Sequence, residues 1–192
     1  MLVFGVSCSA MAQNKTAGVK TGKSLTELIS MAREGRPASN SETVKLVKEA
    51  YSERKADDGT VTAGNELVGT WNCTIGESDG GNPPFEALQT FNFDGTFVET
   101  SSLLGMNGEG PAHGAWERNA GGYLLTFELF VFDPETGESV GRVRVRNIIR
   151  VAGSRMNFTS YNVVDFIEPD GNVIEGIDSG IYTAQRLQVR GV

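Results

Sequence analysis

The sequence predicts a mainly β protein, an eight-stranded antiparallel up-and-down β-barrel preceded by two short α-helices. Three observations carry that prediction. From Leu67 onward, short runs alternate apolar and polar residues with a period of two, the signature of strands with one buried face. Turn chemistry separates the runs: Asp94-Gly95, Ala120-Gly121-Gly122, Asp133-Pro134-Glu135-Thr136-Gly137, Ala152-Gly153-Ser154 and Glu168-Pro169-Asp170-Gly171. Successive hairpins make a meander, and closing about eight strands on themselves removes the unpaired edges that an open sheet would expose.

The chain of 192 residues suits one domain with an appendage. Residues 1–12 carry no charge and end in Ala10-Met11-Ala12, the small-x-small pattern of a signal-peptidase site, so they read as the tail of a secretion signal whose basic start lies upstream. That reading makes the protein secreted or periplasmic. An uncharged lead-in is the alternative; a lipidated Cys8 is a third, disfavoured by Gly5 where a leucine-like residue is wanted. Without the leader, Cys73 is the sole cysteine, and no internal disulfide supports the core.

Residues 13–66 hold a polar lead-in and the two helices. Ser24-Leu25-Thr26-Glu27 is a capping box that opens a stripe of Leu25, Leu28, Ile29 and Ala32, stopped by Gly35. Ser39-Asn40-Ser41-Glu42 is a second box, opening Val44, Val47 and Tyr51 and ending at Asp57-Asp58-Gly59. Each narrow stripe needs a surface to dock on, either as a plug in a barrel mouth or as cover for a sheet edge.

Residues 67–192 form the barrel. The predicted strands are 67–75, 85–93, 96–104, 113–118, 123–132, 140–151, 156–167 and 173–187. In the first, Cys73 shares a face with Leu67, Trp71 and Ile75 and reads as a small buried apolar residue. In the fifth, Tyr123, Leu125, Phe127, Leu129 and Val131 share one side. In the sixth, Val143, Val145, Ile149 and Val151 oppose Arg142, Arg144, Arg146 and Arg150. An outward arginine row would pair with carboxylates such as Glu128 and Asp165; an inward one would make an anion-binding lumen but strand the valines in water. The aromatics Phe91, Phe93, Phe97, Phe127, Phe130, Phe132, Phe158 and Phe166 could fill the interior or line a cavity, with Phe91, Phe97, Phe127, Leu129 and Phe158 as candidate contacts for an apolar ligand.

Gly69-Thr70-Trp71 in the first strand, with Arg186 in the last, resembles the calycin superfamily of lipocalin-like barrels. The resemblance spans roughly residues 67–187 and implies a structural closure in which Arg186 packs over the Trp71 ring. By architecture alone the chain is also similar to the allene oxide cyclase and dirigent barrels, whose interiors bind apolar molecules.

Net charge and motif content narrow the chemistry. A charge of −7 repels phosphate backbones and anionic lipid, so nucleic acid is not an expected partner, and no run reaches the ~18 apolar residues of a membrane span. One histidine and one mature cysteine leave no zinc or copper ligand set, and the sequence implies no cofactor. Two loops rich in Asp, Asn and Gly lack the spacing of a calcium loop. His113 follows a glycine-rich loop and, with Glu109 and Tyr161, is the candidate constellation for acid–base chemistry at a barrel mouth; the alternative is a structural histidine at a strand start. The expected function is an exported protein that holds a small apolar or amphipathic molecule. A barrel cyclase or isomerase is the second possibility and a solid-core interaction module the third, with the oligomeric state open.

Overall fold

A computed structural model describes residues 25–34, 41–53, 66–76, 84–102, 109–119, 121–133 and 135–189. Its elements are α1 (Leu25–Arg33), α2 (Ser41–Ser52), β1 (Gly69–Ile75), β2 (Phe85–Phe91), β3 (Thr96–Ser101), β4 (Ala112–Asn119), β5 (Gly122–Phe132), β6 (Ser139–Val151), β7 (Asn157–Ile167) and β8 (Val173–Arg186). Every strand pairs antiparallel with its sequence neighbours, and β8 pairs with β1, so the sheet is a closed up-and-down barrel. The leader at 1–12, the lead-in, the serines that open both predicted helix caps, the stops at Gly35 and Asp57-Asp58-Gly59, residues 77–83, and residues 103–108 of the glycine-rich stretch before His113 lie outside the described residues.

Strand register sets the width of the bore. Partners run from Gly69 through Phe91, Phe97, Gly114, Phe127, Val145 and Val164 to Asp178. Because Ile75 pairs with Tyr182, this circuit returns to the line of β1 ten residues beyond Gly69. A stagger larger than the number of strands tilts them strongly, and a tilted strand takes up more of the circumference. The barrel is accordingly wide enough that its inner side chains need not all meet at the axis.

The stagger also sorts inward side chains into layers. Trp71, Phe91, Trp116, Tyr123 and Phe158 occupy one end, where the β2–β3, β4–β5 and β6–β7 hairpins lie. Gln89, Glu99, Asn147, Ser160 and Tyr182 lie at mid-height, and Ile75, Phe85, Leu129, Val145 and Val164 stand towards the other end. One close approach depends on glycine. A Cβ on Gly114 would overlap Thr126 O and come 2.6 Å from Phe127 Cβ, so only glycine lets β4 pass this close to β5.

The aromatic inventory divides between inside and outside. Phe91, Phe97, Phe127, Phe158 and Phe166 are buried in the barrel, whereas Phe93 and Phe130 are 68% and 55% exposed. Phe93 falls in a turn, not a strand: Gly95 N donates to Asn92 O at 3.1 Å and Gly95 takes φ 85°, so the bend starts two residues before Asp94-Gly95. Phe130 alternates with the inward Leu129 and Val131 and therefore points out, and Phe132 lies beside it with ring centroids 6.3 Å apart.

Neither expected docking mode describes α2. A closed barrel has no edge to cover, and α2 instead lies on the outer wall, where Val47 is buried against Leu124, Ile148 and Val163. Tyr51 Oη donates to Leu125 O at 2.6 Å, and Lys48 pairs with Glu175 at 2.7 Å. Helix α1 rests on β8, with Leu28 and Ile29 buried and Arg33 paired with Glu168 in the β7–β8 turn. The arginine row faces outward. Arg142 and Arg144 share Glu128 at 2.7 and 2.8 Å, and Arg146 pairs with the buried Asp165 at 2.9 Å.

Candidate functional site

The two ends of the barrel interior are built differently. At the end where β1 begins, Trp71 packs on Phe158 at 4.8 Å between ring centroids, Phe91 on Phe97 at 5.0 Å, and Trp116 on Tyr123 at 5.6 Å. Arg186 closes it from outside. Its guanidinium carbon lies 4.2 Å from the Trp71 ring centroid, and its nitrogens donate to Val68 O at 2.6 Å, Arg155 O at 2.9 Å and Glu66 O. Three carbonyls and a ring face thus hold one cation, and Trp71 Nε1 donates to Leu67 O at 2.8 Å. This end is packed solid.

Above it runs a band of polar side chains on strands that are otherwise apolar inside. Gln89 Nε2 donates to Glu99 Oε2 at 2.6 Å and to Tyr182 Oη at 3.0 Å. Ser160 Oγ donates to Asn147 Oδ1 at 3.0 Å, and Tyr182 Oη lies 3.3 Å from the same oxygen. The chain Ser160, Asn147, Tyr182, Gln89, Glu99 therefore crosses the lumen from β7 to β3. Two of its atoms are left over. Asn147 is fully buried, yet its Nδ2 has no partner. Glu99 Oε1 takes no hydrogen bond from the described residues.

Burial governs the protonation states in this band. It lifts the Glu99 carboxyl to about 7; the Gln89 hydrogen bond opposes the shift and the charge of Glu109 adds to it. It also pushes the Tyr182 hydroxyl well above its ordinary value, helped by Cys73 and Glu99, and drives the Cys73 thiol up in the same way, helped by Glu99. Tyr182 and Cys73 are therefore neutral groups at physiological pH, and Cys73 is not a nucleophile. Glu99 is the one group here poised to exchange a proton near neutrality.

Beyond the band the wall is apolar and less completely covered. Ile75, Phe85, Val145 and Val164 face inward from β1, β2, β6 and β7, belong to the apolar cluster of the barrel, and are nonetheless only half-buried. Ile75 and Phe85 end their strands at the rim, whereas Val145 and Val164 lie within theirs. The interior is tightly packed at one end and less fully covered towards the other, where Ile29 of α1 joins the same apolar cluster.

The side chains expected at the site are dispersed. Phe91, Phe97 and Phe158 belong to the packed end, Phe127 stacks on Phe97 at 5.2 Å, and Leu129 continues the wall upward. His113 is exposed on the outer face of β4, opposite Val98 and Glu128. Tyr161 is also on the outer wall, beside α2 and under Arg150 at 5.5 Å. Glu109 is half-buried where it bridges to Val131, and its charge reaches Glu99. These three do not converge. The residues that do converge, Gln89, Glu99, Asn147, Ser160 and Tyr182, left a readable trace: each interrupts an apolar face at its inward position, as Asn147 does between Val145 and Ile149.

Fold and interior together define a closed eight-stranded antiparallel barrel with a packed aromatic end, a polar band and a half-covered apolar far end. Compared with known proteins, the chain matches no family model, no curated protein and no solved structure. Among the described residues, no cluster of three or more His, Cys, Asp or Glu side chains is arranged to hold a metal ion.

Proposed function

We propose that the protein is an exported, lipocalin-like container for a small amphipathic molecule. The apolar part of the ligand rests against Ile75, Phe85, Leu129, Val145 and Val164, and its polar end reaches the band at Gln89, Glu99 and Tyr182. The observation that carries this reading is the partial exposure of inward apolar side chains on β1, β2, β6 and β7. Hydrophobic wall left in contact with water is the driving force for binding an apolar group. The cation over Trp71 supports the lipocalin-like part, and the uncharged segment ending at Ala12 supports export.

Nile red fluorescence tests it. Wild type should bind the dye in the lumen and brighten it, and Val145→Trp, which fills the bore, should weaken binding by more than roughly tenfold while retaining the β-sheet circular dichroism. Equal binding by wild type and variant would place the dye elsewhere and end this reading.

Glu99 supports a second reading, a cyclase or isomerase in the same container. A carboxyl titrating near neutrality beside an apolar cavity is suited to moving a proton on a bound substrate. Under this reading Glu99→Gln binds substrate but does not turn it over. Retained turnover in that variant would remove it.

A further inference from the structure

We propose that the polar end of the ligand is a basic nitrogen, a primary or secondary ammonium that forms an ion pair with Glu99 inside the barrel. The inference rests on the container reading above and adds the chemistry of the head group. Glu99 faces inward with Oε2 taken by the Gln89 amide, and Oε1 takes no hydrogen bond from the described residues. The arginines of β6 point outward to Glu128 and Asp165, and Arg186 is consumed at the sealed end by three backbone carbonyls. Among the described residues no lysine, arginine or histidine pairs with Glu99, and the other titratable groups that face it are Cys73, Tyr182 and Glu109, none of which supplies positive charge. A half-buried carboxylate without a counter-charge among the described residues is costly, and a cation that enters with the ligand removes that cost.

Asn147, in the same polar band, also has an unmatched side-chain atom. Its side chain is fully buried, its Oδ1 meets Ser160 and Tyr182, and its Nδ2 meets nothing. Turning the amide over gives Nδ2 both hydroxyls and leaves Oδ1 orphaned instead. In either orientation the band lacks one hydrogen-bonding partner: the free Nδ2 asks for an acceptor, and only the turned-over amide, with Oδ1 free, takes a second N–H of an ammonium. The ordinary value of Glu99 returns when the cation binds, so binding releases a proton below about pH 7 and strengthens as pH rises through that value. The acidic chain, at net −7, also concentrates cations around itself.

Three probes with one tail separate the possibilities: octylamine, octanol and octanoate, titrated by displacement of Nile red at pH 8 and pH 5. At pH 8 octylamine should bind roughly ten- to a hundredfold more tightly than octanol, the gain of one charge-assisted hydrogen bond, with octanoate weakest. That advantage should shrink at pH 5 and disappear in Glu99→Gln. Octanol or octanoate binding as tightly as the amine at pH 8, or an amine preference that survives Glu99→Gln, overturns the head-group assignment and leaves the container reading standing. Failure of all three to displace the dye overturns both.

Discussion

Single side chains decide most of what happens at the two poles of this barrel. Arg186 satisfies Val68 O, Glu66 O and Arg155 O while covering Trp71, so Arg186→Ala strips three carbonyls of a donor and opens the aromatic end. We expect urea unfolding to register a loss of about 2–4 kcal/mol, with Arg186→Lys recovering less than half, since one ammonium cannot span the same fan of acceptors. Glu99 acts in the opposite sense. Unfolded, it titrates near the ordinary 4.5; folded, near 7, because burial disfavours the charged form. The folded state therefore holds the extra proton between those values, and the contribution of Glu99 to stability falls as pH rises from about 4.5 to about 7, with the full cost present above that. At ~1.4 kcal/mol per pKa unit the shift corresponds to roughly 3–4 kcal/mol for a fully dry group, and to less here because Glu99 is only half-buried. Glu99→Gln should unfold at higher urea than wild type at pH 8 and at nearly the same urea at pH 4. Parallel pH profiles for the two proteins would show that Glu99 is not the buried acid described here.

At the scale of elements, the helices are held by what the strands present on their outer faces. Leu124 pairs with Ile148 across β5 and β6, Val163 lies diagonal to Ile148 on β7, and the three form an apolar patch on which α2 packs through Val47. Val47→Asp places a charge in that contact and should release α2 without opening the sheet, because the strand ladder does not depend on the helix. Limited trypsinolysis would then cut rapidly at Lys45 and Lys48 while the β-sheet circular dichroism persists; slow cleavage at wild-type rate would mean that other contacts, such as Tyr51 to Leu125 O and Lys48 to Glu175, hold the helix alone. The helices themselves were legible from apolar stripes at helical spacing. Their docking surface was not, because Leu124, Ile148 and Val163 acquire a common face only when β5, β6 and β7 are paired.

For the whole molecule, closure is the organising constraint. The pairing of β1 with β8 joins Trp71 to Arg186 across most of the folded chain, and without it both strands become exposed edges. Truncation after Asp170, which deletes β8, should therefore abolish the fold rather than shorten it, with loss of β-sheet circular dichroism and of any cooperative urea transition. A truncated chain that still unfolds cooperatively would show that seven strands suffice. Closure also explains the asymmetry of the interior. The packed end is made where Trp71, Phe91, Trp116 and Phe158 fall at one height, and the less covered end includes smaller side chains such as Val145 and Val164.

Strand count, meander order and most inward and outward faces were legible in the sequence by itself, because alternation with a period of two and hairpin turn chemistry are local properties. It also singled out Trp71 and Arg186 and the outward pairing of the arginine row with Glu128 and Asp165. It misassigned Phe93 to a strand and counted Phe130 among the interior rings, where a turn starting at Asn92 and strict alternation around Leu129 place them outside. Only the tertiary structure decided the site. Gln89, Glu99, Asn147, Ser160 and Tyr182 come from five different strands, and the stagger of the closed sheet, a property no single strand encodes, brings them to one height and leaves a carboxylate there without a cation.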